Sequence, residues 1–180
     1  MNNQRIPFRY ELRLLLYAET MDGFTEKLTP MEHKAQNRCF GCGPANAAGL
    51  RLEFMLAEDG NVVCLPTIPE IFEGPAGYLH GGIIATLLDE AMSKSVRAIG
   101  LTGLTSQLEI NYRSPVHSGE PIRLEGRLVR AEGRKHWTEA RILNHRGHVL
   151  AEGKGLFIVL RSGHSDGTLR RISAVWPTNR

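Results

Sequence analysis

Apolar and polar residues follow distinct rhythms along this chain, and each rhythm predicts an element. From Gly82 to about Ile99 the apolar residues Ile83, Ile84, Leu87, Leu88, Ala91, Met92, Val96 and Ile99 recur at intervals of three and four, the spacing of a helix. They cover more than a narrow stripe, so the helix is predicted to be packed over much of its circumference. After Gly100 and Gly103 the period falls to two: Leu108, Ile110 and Tyr112 alternate with Gln107, Glu109, Asn111 and Arg113 until Ser114-Pro115 ends the run. Ile122, Leu124 and Leu128 alternate with Arg123, Glu125 and Arg127. The Glu132-Gly133 turn leads to a strand over His136–Leu143, and Asn144–Gly147 leads to another over Val149–Leu160. Ahead of the helix, Leu50–Leu56 and Val62–Leu65 flank the turn signal Asp59-Gly60-Asn61 and read as a hairpin. Two strands, one buried helix and four strands define an α+β layout, an antiparallel sheet of about six strands wrapped around a central helix.

The flanks read differently. Residues 1–38 form an extension whose one apolar patch, Tyr10–Tyr17, is either a short helix lying on the domain or sequence upstream of a start at Met21 or Met31. Residues 39–160 are the domain proper. Residues 161–180 are polar, glycine-containing and basic, and are expected to form a flexible tail. With 180 residues, 42% hydrophobic and 23% charged, the composition suits one globular core and disfavours a largely disordered chain. A formal charge of +3 implies no nucleic-acid partner. No apolar run reaches the roughly 18–20 residues of a membrane span, and Glu11 and Glu19 interrupt what would otherwise resemble a leader. Cys39, Cys42 and Cys64 cannot all pair within one chain, which points to a reducing, cytoplasmic setting.

The stretch Phe72–Gly82 runs straight into the predicted helix and carries the richest chemistry. A helix N-terminus presents unsatisfied N–H groups and the positive end of the helix dipole, and glycines there let a ligand reach the backbone. Gly81 and Gly82 are therefore candidate oxyanion donors. Asp89 lies nine residues after His80 in a helix that is otherwise apolar. Partial burial raises such a carboxylate's pKa while a polar neighbour limits the rise, which fits a general base or a nucleophile. Asp89 and Glu90 point about 100° apart, so one of them faces water or a salt partner. Asp89 is the functional candidate and Glu90 the structural one.

The string Gly77-Tyr78-Leu79-His80-Gly81-Gly82-Ile83-Ile84-Ala85-Thr86-Leu87-Leu88-Asp89-Glu90-Ala91 closely resembles the signature of hotdog-fold acyl-CoA thioesterases of the phenylacetate-pathway (PaaI-like) branch. The resemblance continues in Cys39-Phe40-Gly41-Cys42-Gly43 with Gly49-Leu50, and in Leu108-Glu109-Ile110-Asn111-Tyr112-Arg113-Ser114-Pro115-Val116. It implies a hotdog fold and hydrolysis of an acyl-CoA to a free acid and coenzyme A, which is part of the substrate, so no cofactor is implied. It implies Asp89 as general base or nucleophile, the Gly81 N–H on the thioester carbonyl, and His80 orienting substrate or leaving group. Thr105 is implied to hold the attacking water, against a plain reading as a strand-start hydroxyl. The resemblance also implies a site shared between subunits of a homo-oligomer, a dimer or a dimer of dimers, with Asp89 of one chain facing His80 and Gly81 of another. Pantetheine would lie beside the strand ending at Pro115, with Arg113, Arg134 and Lys135 near the phosphates, and the Tyr78 region would line the acyl pocket with Gly82. One departure stands out: some members carry Asn six residues before the His, where this chain has Gly74.

Cys39-x-x-Cys42 invites zinc or redox readings, but a tetrahedral zinc needs four ligands, and only Cys64 and scattered histidines such as His33 are at hand. No metal is expected, and the cysteines read as packing a turn. Two other functions compete with hydrolysis: a hotdog dehydratase or hydratase, which needs a differently placed His and carboxylate, and a non-catalytic acyl-CoA binder, which has no use for Asp89.

Overall fold

The structure is a computed structural model and describes residues 27–160. The extension's apolar patch at Tyr10–Tyr17 and the tail lie outside the described residues. Seven strands, β1 (Leu28–Pro30), β2 (Phe54–Ala57), β3 (Val62–Cys64), β4 (Gly103–Tyr112), β5 (Arg123–Glu132), β6 (Lys135–Leu143) and β7 (Val149–Val159), accompany one long helix, α1 (Gly81–Ala98). They form a single antiparallel sheet in the order β1-β2-β3-β5-β6-β7-β4. The helix follows the hairpin and is wrapped by the sheet, the layout predicted from the periodicities.

The strand count is one higher than expected because β1 lies inside the stretch assigned to the extension. Leu28↔Ala57 and Pro30↔Met55 pair it to β2 as an edge strand, where proline is tolerated because its missing N–H faces away from the ladder. Three residues carry no readable alternation, so the domain reaches further towards the N-terminus than the predicted boundary at residue 39. The strands β2 and β3 are apolar on both faces and almost wholly buried. Their hairpin turns at Gly60, whose φ of 86° favours glycine, with the Asp59 carboxylate accepting from the Asn61 N–H.

The helix buries Ile84, Leu87, Leu88, Ala91, Met92 and Val96 against Phe54, Val62, Leu124, Ile142, Ala151 and Phe157, each large side chain contributing about 1.5–3 kcal/mol. Close seating requires small residues below it. A Cβ at Gly126 would stand 2.4 Å from the Ala91 carbonyl oxygen, and one at Gly155 would stand 2.9 Å from the Met92 sulfur. On the sheet's other face, Arg123 and Glu125, 5% and 6% exposed, form a buried ion pair that continues to Arg141. This alternating charge is thus a packed network and not the solvated face its sequence suggests.

The strand β4 lies at one end of the sheet. Its ten residues are exposed or half-buried throughout, although Leu104, Leu108 and Tyr112 are 61%, 38% and 53% exposed. One side pairs with β7 and the other is, among the described residues, a long unpaired edge carrying apolar side chains, a template for another strand.

Candidate active site

The loop before α1 is fixed by its own hydrogen bonds. The Gly74 N–H donates to the Tyr78 carbonyl at 3.0 Å, the His80 N–H to Phe72 at 3.0 Å, and the Leu79 N–H to Val116 at 2.9 Å, which ties the loop to the segment after β4. His80 is the helix N-cap, its Nδ1 accepting from the Gly82 N–H at 2.9 Å. An accepting Nδ1 places the neutral ring's proton on Nε2, leaving that N–H to point at a ligand. The cap also corrects the sequence reading of two free amide donors: Gly82 is committed to His80, and Gly81 is the amide left without a protein partner among the described residues. A Cβ at Gly74 would lie 3.3 Å from the His80 Cα, so His80 fills the space that an Asn side chain would need.

Tyr112, unnoticed as a site residue in the sequence, closes the other side of this pocket. Its hydroxyl donates to the Gly81 carbonyl at 3.1 Å. The period-two pattern that sets Tyr112 on the same face as Leu108 and Ile110 was the signal that could have found it. Tyr78, by contrast, leans on His117 with ring centroids 4.9 Å apart and is 39% exposed. It belongs to the loop surface and does not reach the helix N-terminus as part of an acyl pocket within the chain.

Asp89 lies half-buried on α1 and accepts a hydrogen bond from the Thr105 hydroxyl at 2.7 Å. Burial pushes its carboxyl above the ordinary range, the Thr105 hydroxyl pulls it back down, and the neighbouring negative charge of Glu90 pushes it up again. Thr105 reaches Asp89 because of a bulge. Thr105 pairs with Phe157 and Gln107 with Leu156, leaving Ser106 as the extra residue. Strict alternation from Leu108, Ile110 and Tyr112 would turn Thr105 away from the helix, and the bulge turns it in.

The carboxylate and the amide are not neighbours within the chain. Eight residues of helix separate Asp89 from Gly81, about 12 Å at 1.5 Å per residue, too far for both to act on one carbonyl. The basic residues are divided as well. Arg113, paired with Glu152, and the exposed Pro115 follow the Tyr112 end of β4. Arg134 donates through Nε to the Val159 carbonyl at 2.9 Å, and Lys135 pairs with Ile158, at the Gly103 end. These ends lie about 30 Å apart along the strand. The expected single phosphate-binding mouth formed by Arg113, Arg134 and Lys135 is therefore not assembled by one chain.

A second cluster occupies the far face of α1. The turn carrying Cys39 and Cys42 rests on Glu90, so closely that a Cβ at Gly41 would stand 2.5 Å from Glu90 Oε2. Cys39 Sγ lies 3.5 Å from Glu90 Oε2, and Lys94 Nζ lies 2.8 Å from Cys42 Sγ and 3.2 Å from Glu90 Oε1. Burial pushes the Cys42 thiol up to about 12. The two sulfurs and the Glu90 carboxylate lie within 4.8 Å of one another, a ligand that the sequence reading, weighing only cysteines and histidines, did not consider. The Lys94 ammonium already supplies the positive charge at that point. Cys64 is buried in β3 within the main core.

A single helix seated in an antiparallel sheet, with a glycine amide at its N-terminus and a carboxylate two turns along, defines a hotdog domain. Residues 76–151 match the model of the thioesterase superfamily. It is 34% identical over 102 residues to acyl-coenzyme A thioesterase THEM4 of Xenopus laevis, which covers 55% of this chain and 45% of that protein. The chain thus spans about half the length of that curated relative. A crystal structure described as a thioesterase superfamily protein superposes with a TM-score of 0.65 at 27% identity, covering 88% of this chain and 81% of the other. A hypothetical thioesterase of Streptococcus pneumoniae TIGR4, solved with coenzyme A, superposes with a TM-score of 0.57 at 25% identity, covering 61% and 85%. Among the described residues no helix is long and apolar enough to cross a membrane.

Proposed function

We propose that this chain is an acyl-CoA thioesterase whose site forms between two copies joined along β4. The observation that carries this reading is the pairing of a half-buried carboxylate, held by Thr105, with an uncommitted helix-terminal amide about 12 Å away on a chain whose longest free strand edge lies between them. In an antiparallel pairing of two β4 edges that sets Thr105 opposite Tyr112 of the partner subunit, Asp89 comes beside Gly81 of the partner subunit. The same pairing carries Arg134 and Lys135 towards Arg113 of the partner subunit, which gathers the divided basic residues at one mouth. Arginine forks and ammonium groups there suit the phosphates of coenzyme A.

In this site the Gly81 N–H and the helix dipole take the charge that develops on the thioester oxygen. Asp89 removes a proton from water, and the Thr105 oxygen, whose hydrogen is given to Asp89, offers the water an acceptor. The bond between water oxygen and carbonyl carbon forms, the bond to sulfur breaks, and coenzyme A leaves with His80 Nε2–H beside it. The free acid and the thiol are the products. Coenzyme A enters only as part of the substrate, and no other cofactor is needed. Three cysteines that cannot all pair within one chain support a reducing compartment such as the cytoplasm.

The test is Asp89→Asn, read by free-thiol release from short, medium, long and aryl acyl-CoAs, together with binding of coenzyme A by calorimetry. Turnover is expected to fall by orders of magnitude with binding retained. Unchanged turnover would remove Asp89 from the reaction, and binding without turnover by the wild type would identify a non-catalytic acyl-CoA protein.

A further inference from the structure

The contact between Cys42 and Lys94 has no part in this hydrolysis. At 2.8 Å the nitrogen and sulfur are as close as in a short N–H···O hydrogen bond, where about 2.7–3.2 Å is usual, although sulfur is the larger atom. Such a separation leaves room for one bridging atom and little else. Three further features surround it. Glu90 Oε1 lies 3.2 Å from the same Lys94 nitrogen and holds it beside the sulfur. Cys39 Sγ is turned to Glu90 Oε2 at 3.5 Å, so it is not the partner of Lys94. All four groups line a cavity of about 450 Å³, together with Met31, His33 and Thr102, which gives a small oxidant access to the 3% exposed Cys42.

We propose that Cys42 and Lys94 are an oxidative modification site, joined through an oxygen atom as an N–O–S cross-link when the folded protein meets hydrogen peroxide. In the first step the Cys42 sulfur attacks one peroxide oxygen; the O–O bond breaks, an S–O bond forms, and water leaves a sulfenic acid. Lys94, once its ammonium proton has passed to solvent, attacks a second peroxide in the same way; an N–O bond forms and water leaves a hydroxylamine. The hydroxylamine oxygen then displaces the sulfenic hydroxyl as water. Sulfur and nitrogen each give up two electrons, two peroxide molecules are reduced, and three waters are released. The product staples the Cys39–Cys42 turn to α1.

The full chain, folded and free of reductant, is treated with hydrogen peroxide and digested for mass spectrometry. The expected product is the Cys42 peptide joined to the Lys94 peptide, heavier than their sum by one oxygen and lighter by two hydrogens, and separated again by dithiothreitol. Cys39→Ser should retain this product, Lys94→Arg should abolish it, and the cross-linked protein should melt at a higher temperature. A Cys39–Cys42 disulfide, a Cys42 sulfinic acid with Lys94 unmodified, or an unchanged Cys42 under conditions that oxidise exposed Cys39 would each overturn the proposal. Because the readout is the bond itself, the result is independent of thioester hydrolysis.

Discussion

Replacing Thr105 with valine removes one hydrogen from one carboxylate and little else, since valine keeps the branched shape that β4 accommodates. The lost bond, 2.7 Å long and made to Asp89, is of the charge-assisted kind, worth about 1.5–3 kcal/mol. Asp89 is only half-buried, so the lower end applies. Loss of this bond should raise the Asp89 pKa further in Thr105→Val. The direction is fixed by the surroundings: burial and Glu90 already push the carboxyl up, and Thr105 is what holds it down. Since the reaction uses the carboxylate, the acidic limb of the pH profile of kcat/KM should move to higher pH. A slower alkaline plateau is also expected, because the attacking water loses its acceptor. The assay is thiol release from one acyl-CoA across the pH range, with the Asp89 carboxyl titrated in parallel by NMR. An acidic limb that stays in place or moves to lower pH would refute this role for the pair.

The same raised pKa has a consequence for stability. The folded state holds the Asp89 proton more tightly than the unfolded chain, so this group's favourable contribution is present at low pH and is lost as pH rises through the folded pKa. Asp89→Asn is therefore expected to raise Tm at neutral pH, by about 2–4 °C if relief of the buried charge amounts to about 1 kcal/mol; a comparable fall would contradict this. Gly81→Ala should fold as well as the wild type, since its Cβ would meet Tyr112 only at 3.8 Å, yet turnover should drop by about tenfold or more as the methyl crowds the amide. Calorimetry beside thiol release separates the two effects. In Gly126→Ala the new Cβ runs into the Ala91 carbonyl at 2.4 Å, and urea unfolding should show a loss of about 1–3 kcal/mol. Leu108→Glu places a charge in the middle of the β4 edge; light scattering should report a monomer, and that monomer should be inactive.

Periodicity made most of the fold legible. The helix and the β5-β6-β7 meander bury one face, and β4 turns one side towards the helix, so their spacing of three and four or of two survives in the sequence. Leu28-Thr29-Pro30 could not be read that way, because three residues on an edge with a proline carry no period. Nor could β4 be recognised as an edge: Leu108, Ile110 and Tyr112 alternate as in any half-buried strand, and only the sheet order shows that no other described strand lies beyond them. At the site, His80, Gly81 and Asp89 stood out as polar or small residues around an apolar helix. Thr105 was named only through the family resemblance, since the Ser106 bulge reverses its direction and alternation alone assigns it the wrong face. The Cys39-Cys42 turn gave its spacing but not its setting, because Glu90 and Lys94 meet it only through tertiary contact.

A mixing experiment addresses the shared site most directly. Asp89→Asn and Gly81→Ala proteins, each nearly inactive, are dissociated, combined in equal amounts and allowed to reassociate. If Asp89 of one copy works with Gly81 of the partner subunit, half the dimers carry one intact site and thiol release should return to about a quarter of the wild-type rate. A mixture no more active than its two components would show that both groups must come from the same chain, and a site built across the β4 edge would be ruled out.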